Sequence, residues 1–350
     1  MRRMLDLPLH YGRAPRWLFE RMRKLSRVII ETIIEEFGKE EVLKRLSEPG
    51  WFQSLGCLLG FDWHSSGLTT TTCAAIKYAL RDIGEKVGLF AAGGKGKYSR
   101  KIPEELKIIG YKTGVNADKM IYASRLSAKV DSSAIQDGYQ VYHQLFLCSE
   151  DGKWVCIDQG MNERTGWARR YHWFSENLSS FVEEPHKGVA GVKEKDVLNL
   201  VAKGSRETRK CSLELIQKPE EVIKEIKRLP KRHRIIERFD VKRMERILLK
   251  IYEQAPEKYE HLLSIEGVGA KTLRALALTS EIIYGAIPSY DDPVSFSYAH
   301  GGKDGHPYPV QRDVYENTIL IFERALKKAK LGKREELKIL KKIPELIRPT

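Results

Sequence analysis

Gly267-Val268-Gly269 separates two apolar runs of helical period, and no other stretch constrains this chain as tightly. Residues 257–264 place Tyr259, Leu262 and Leu263 on one side of a short helix. Residues 271–284 do the same with Leu273, Leu276, Ala277, Ile282 and Ile283. Glycine has no Cβ, so the joining backbone can take positive φ and present consecutive N–H groups. Those donors fall where the second helix begins, and there the orphan N–H groups and the positive end of the macrodipole favour an oxyanion. Lys271 adds a full charge, with Thr272 beside it.

Ile265 through Thr272 closely resembles a helix-hairpin-helix DNA-binding motif, hydrophobic-x-Gly-hydrophobic-Gly-x-Lys-Thr/Ala. The resemblance implies that Gly267, Val268, Gly269, Lys271 and Thr272 hold DNA by its backbone, without reading sequence. A Gly-rich turn between two core helices is the alternative. Composition agrees with an anionic partner: 61 Lys+Arg against 47 Asp+Glu give a net charge of +14. Lys and Glu dominate while Gln is sparse, a thermophile pattern. The cysteines Cys57, Cys73, Cys148, Cys156 and Cys211 are odd in number and form no CxxC pair. That argues for reduced thiols and against a zinc ribbon or an iron–sulfur cluster. With no membrane-length apolar run and no signal-peptide pattern, a soluble, cytoplasmic protein is expected.

The predicted fold class is α+β: a mixed α/β N-terminal domain with a β-hairpin over 1–185, a Gly- and Lys-rich linker over 186–205, and an all-α domain over 206–350. Helical spacing marks 16–37, 40–46 and 72–83 in the first part, and 207–217, 220–229, 235–254, 314–330 and 335–347 in the second. Two aromatic and β-branched runs, 140–148 and 153–158, flank Ser149-Glu150-Asp151-Gly152 as a hairpin.

Several constellations could carry chemistry. Asp131, Asp137 and His143 lead into the hairpin and Asp158 ends it, so Asp131, Asp137 and Asp158 are candidate ligands for Mg2+ or Mn2+ in phosphodiester cleavage. Turn caps are the alternative, because Gln159 and Gly160 follow Asp158 where a nuclease would carry lysine. As ligands, Asp131 and Asp137 would be dispensable for folding. His64, in the loop Asp62-Trp63-His64, is a candidate acid or base. Lys95 and Lys97 sit in the Gly-rich stretch 91–100, read as a phosphate-binding loop or a solvated basic one. These loops are expected to face the same cleft as Asp131. Arg169 and Arg170 lie among aromatics at 167–174, a pattern for base stacking and phosphate clamping, or for core.

Lys271 also falls where bifunctional helix-hairpin-helix glycosylases carry their Schiff-base lysine. Asp292, as N-cap before Pro293, would match their aspartate, although Tyr-Asp-Asp-Pro replaces the usual Val-Asp-Thr-His. Over most of its length, through 61–67, 93–97, 131–143, 159–162 and 168–173, the chain resembles the archaeal and thermophile-bacterial family known as domain of unknown function 763. That family brings no assigned activity. The expected function is therefore DNA binding in repair or processing, with metal-dependent nuclease chemistry first. Glycosylase or abasic-site lyase action through Lys271 and a non-enzymatic scaffold are the alternatives.

Overall fold

The computed structural model describes residues 7–9, 14–60, 65–228, 240–295 and residue 324. Four helices come first: α1 (Arg16–Phe37), α2 (Lys39–Ser47), α3 (Pro49–Leu58) and α4 (Ser66–Val87). Strand β1 (Leu89–Lys95) leads through a 3-10 turn into α5 (Ile102–Thr113) and α6 (Ala117–Lys129). A π-turn over Val130–Ala134 and the short β2 (Ile135–Gln136) precede the central strands β3 (Gln140–Ser149), β4 (Trp154–Asn162) and β5 (Trp167–Phe174). Then come β6 (Gly188–Ala190), β7 (Leu198–Asn199), α7 (Arg206–Leu215), α8 (Pro219–Arg228), α9 (Val241–Gln254), α10 (Tyr259–Ser264) and α11 (Ala270–Tyr284).

The predicted hairpin is the centre of the molecule. The large sheet has the order β1-β3-β4-β5-β6, antiparallel throughout, and β2 pairs with β7. Side chains alternate across the strands, and both faces are buried. Leu145, Leu147, Val155, Ile157 and Phe174 pack against α1–α4, whereas Phe146, Cys148, Cys156, Tyr171 and Trp173 pack into a second core. That second core continues without a break into Leu215, Leu248, Leu262 and Leu276 of the later helices. The class is α+β, with an antiparallel sheet between two helical layers.

Three expectations need correction. Residues 186–205 are no spacer: β6 edges the large sheet and β7 pairs with β2. Strands of two or three residues are too short to show a period in the sequence. Residues 91–95 are strand, not loop, and a Cβ at Gly93 would lie 2.3 Å from the carbonyl oxygen of Gln144. The glycine therefore serves the close approach of β1 to β3, not a phosphate. Residues 291–295 are not helical, so Pro293 opens no helix there; the Asp292 carboxylate accepts from the Val294 N–H at 2.8 Å. Apart from residue 324, the expected helices at 314–330 and 335–347 lie outside the described residues, as do the loop residues Asp62, Trp63 and His64.

Candidate functional site

Residues 265–269 join α10 to α11 in one tight turn. Gly267 takes φ +96°, and the Val268 side chain is buried beneath the turn. Gly269 is the N-cap of α11, with extended backbone and no side-chain cap. A Cβ there would meet nothing within 4 Å, so the approach to the first turn of α11 is open. Lys271 is exposed at its edge, while Thr272 is buried and faces the core.

The turn is held from the sheet side by residues far away in sequence. The Lys129 ammonium, at the end of α6, donates to the Val268 carbonyl, and burial holds its pKa below the usual lysine value. Gln136 donates to the Ala270 carbonyl at 2.8 Å and accepts from Arg274 Nε at 2.7 Å. On α10, Glu260 accepts from the Tyr122 hydroxyl at 2.5 Å. No spacing in the sequence signals these contacts, because each joins residues more than a hundred positions apart.

The aspartates form a different kind of site. Asp131 is fully buried; its carboxylate lies 3.0 Å from Trp173 Nε1 and 2.6 Å from His186 Nε2, and it hydrogen-bonds Asp158. Asp158 also accepts from Gln144 Nε2 at 3.3 Å and Cys156 Sγ at 3.4 Å. Burial pushes both carboxyls well above the carboxylate range, and the Asp131 charge raises Asp158 further. Two like charges so close cannot both ionise, so the pair shares one proton, with Asp158 the donor. Burial lowers His186 to about 4, so the imidazole is neutral and donates through Nε2. Asp137 accepts from Tyr171 Oη at 2.6 Å, from the Tyr139 N–H at 3.0 Å and from Arg169 at 2.7 Å. His186 was not singled out by its sequence, and only its fold neighbours reveal it.

These aspartates do not fit the expected metal centre. Their oxygens already accept from Trp, His, Tyr, Gln and Arg donors, whereas Mg2+ takes oxygen ligands in near-octahedral array. Among the described residues, no group of three or more His, Cys, Asp or Glu side chains is placed to hold a metal ion. A phosphodiester could not reach Asp131, whose exposure is 0%. Both Asp131 and Asp137 are parts of the core network, contrary to the expectation that folding could spare them.

The arginines are internal too. Arg169 Nη2 lies 2.7 Å from Asp292 and from the Val192 carbonyl, and its guanidinium stacks over Tyr139. Arg170 donates to Gln53 and Thr69 at 3.2 Å, to the Pro49 carbonyl at 3.2 Å and to His172 Nε2 at 2.9 Å. Both are 0% exposed and cannot clamp a phosphate. Nor do Lys95 and His143 share a face of the sheet with Asp158. Register aligns Lys95, His143, Gln159 and Arg170 on the α1–α4 face, while Gln144, Asp158 and Tyr171 line the other. A sheet period of two puts residues 158 and 159 on opposite sides. His143 is buried with no partner on either ring nitrogen, which lowers its pKa to about 3 and leaves it neutral. Lys95 and Lys97 are exposed at the end of β1, over the rings of Tyr142 and Tyr98.

A family model described as a protein of unknown function (DUF763) matches residues 3–310. The chain belongs to the DUF763 family. The match spans the sheet, the buried carboxyl pair and the hairpin turn alike. No curated protein and no solved structure matches the chain.

Proposed function

We propose that this protein binds DNA through the turn at 265–272, by contacts to the phosphate backbone and without reading base sequence. One observation carries the reading. The first turn of α11 opens at a glycine N-cap with free space around it, and the exposed Lys271 stands beside it. An oxyanion there would meet backbone N–H donors, the positive helix end and an ammonium together. The net charge of +14 would draw a polyanion toward the surface. Placement in the cytoplasm, with its five free thiols reduced, goes with this reading.

Binding, not cleavage, is the activity these residues support, and a role in repair or processing would rest on holding DNA for other factors. The lyase reading weakens because Asp292 is tied to Arg169 and to the Glu194 N–H at 2.6 Å. The test is fluorescence anisotropy with two oligonucleotides of unrelated sequence over a salt series. Lys271→Ala is expected to weaken both equally and to lower the salt slope by roughly one unit. Parent-like binding and slope in the variant would defeat the proposal.

A further inference from the structure

A recess of about 550 Å³ opens beside α10, between α6, the start of β4 and the segment after β5. Its walls are aromatic. Phe181 stacks on Trp154 with ring centres 6.1 Å apart at 11°, and Tyr122 meets Phe181 edge-on at 6.0 Å and 86°. Tyr122 is 37% exposed, so part of its ring is free for a ligand. At the rim, Asn116 uses its carbonyl to cap α6, accepting from the Lys119 N–H, which leaves its amide N–H groups as donors. Asp118 supplies an acceptor and Lys119 a cation. Flat apolar walls with donors and acceptors at one edge suit a heteroaromatic ring with a polar rim.

The recess and the hairpin turn lie on one face of one helix. Tyr122, Arg125 and Lys129 follow at i, i+3 and i+7 along α6, and Lys129 is the residue that holds the Val268 carbonyl. Seven residues of helix rise about 10 Å. Between the two ends stands Arg125, exposed, a guanidinium suited to an intervening phosphate. We infer that the recess takes an unstacked nucleobase from a single strand whose backbone runs along α6 to the hairpin turn. This inference rests on the DNA-binding proposal above. Duplex bases are stacked and offer only their edges, so the aromatic walls select single-stranded segments. A free nucleotide shares the same chemistry, and the experiment separates the two sources.

The test uses the full chain and an oligonucleotide just long enough to reach from the recess to the hairpin turn, so that one register dominates, with 2-aminopurine placed at successive positions. The parent is expected to quench the probe at one or two positions only. Tyr122→Phe keeps the ring and should keep the quenching, which shows that the Glu260 bond is not what is measured. Compared with Tyr122→Phe, which lacks the Glu260 bond equally, Tyr122→Ala should abolish the quenching and weaken single-strand binding roughly tenfold, with duplex binding and salt slope equal to those of Tyr122→Phe. Salt-dependent binding without position-specific quenching, or full quenching in Tyr122→Ala, overturns the recess and leaves the hairpin reading intact. Deoxyadenosine monophosphate that displaces the probe as well as an unlabelled oligonucleotide, at equal concentration of bases, overturns the strand assignment. A parent that binds no oligonucleotide overturns both readings.

Discussion

Arg169 on β5 and Asp292, just beyond α11, form an ion pair at 2.7 Å with both side chains fully buried, 123 residues apart in the chain. The same guanidinium holds Asp137 at 2.7 Å, so one cation ties two buried carboxylates from opposite halves of the sequence. The end of the hairpin region is thereby fixed to the central sheet.

Removing that cation leaves two carboxylates uncompensated in the core. Arg169→Met is expected to cost about 3–5 kcal/mol, read as a shift of the urea midpoint. Asp292→Asn keeps a neutral acceptor for the guanidinium and should cost less, about 1–3 kcal/mol. Equal losses in the two variants would show that the cation has no special role.

The Asp131–Asp158 pair gives stability a definite pH dependence. Both folded pKa values lie above the ordinary carboxylate range, so the folded state keeps a proton that the unfolded chain releases. The pair's stabilising contribution is complete at pH below the unfolded values and is lost as pH rises through the folded ones. Asp158→Asn keeps an N–H donor toward Asp131 and removes the second charge. Thermal melts between pH 4 and 8 should show a smaller loss of stability with rising pH in the variant, and a neutral-pH midpoint at or above the parent's. Parallel curves would argue against a shared proton.

His143 carries two buried nitrogens without partners, so an apolar side chain of similar size relieves a desolvation penalty. His143→Leu should stabilise the fold by about 1–2 kcal/mol at neutral pH. Because the folded pKa is lowered to about 3, the neutral imidazole contributes stability above the unfolded value of 6.5, lost as pH falls toward 3. The variant should therefore lose less stability on acidification, measured by the midpoint at pH 7 and pH 4.5.

The two hairpin glycines should separate fold from binding. Gly267 sits at φ +96°, where a side chain is strained, so Gly267→Ala is expected to lower stability by about 1 kcal/mol. Gly269 is extended with open space at its Cβ position, so Gly269→Ala should melt like the parent. Its methyl would stand where a phosphate approaches, and DNA affinity is expected to fall several-fold. Calorimetry and anisotropy on both variants check this, and unaltered affinity in Gly269→Ala counts against the hairpin as the contact.

Long periodic elements were legible in the sequence and contacts between distant residues were not. The 22-residue α1, the hairpin of β3 and β4, and the α10–α11 turn all follow from spacing and glycine placement. Helical spacing marks only 72–83, whereas α4 starts at Ser66, because the run Thr69–Thr72, of the residue type that often caps a helix, lies within it and Ser65 is its N-cap. Ile282 and Ile283 fit the apolar period of α11 but stay exposed at 48% and 39%, because the helix outruns the core that buries Leu273 and Leu276. Asp131, Asp137, Arg169 and Arg170 looked like surface chemistry because charged residues are seldom fully buried unless paired. Their partners, His186, Tyr171, Asp292 and Gln53, are set by the fold alone.

The unbroken core from the sheet into α7–α11 also bears on how such a chain can be cut, copied or rearranged. A fragment ending near residue 185 would lack β6 and β7, leaving one edge of β5 without its strand partner and stripping Trp173 and Cys156 of the neighbours that bury them. The complementary fragment would carry the hairpin without Lys129, Gln136 and Tyr122, the residues that orient it. Neither piece holds a complete interior. The hairpin is therefore no self-contained cassette: moved to another scaffold, it would need that scaffold to supply the donors that Lys129 and Gln136 supply here.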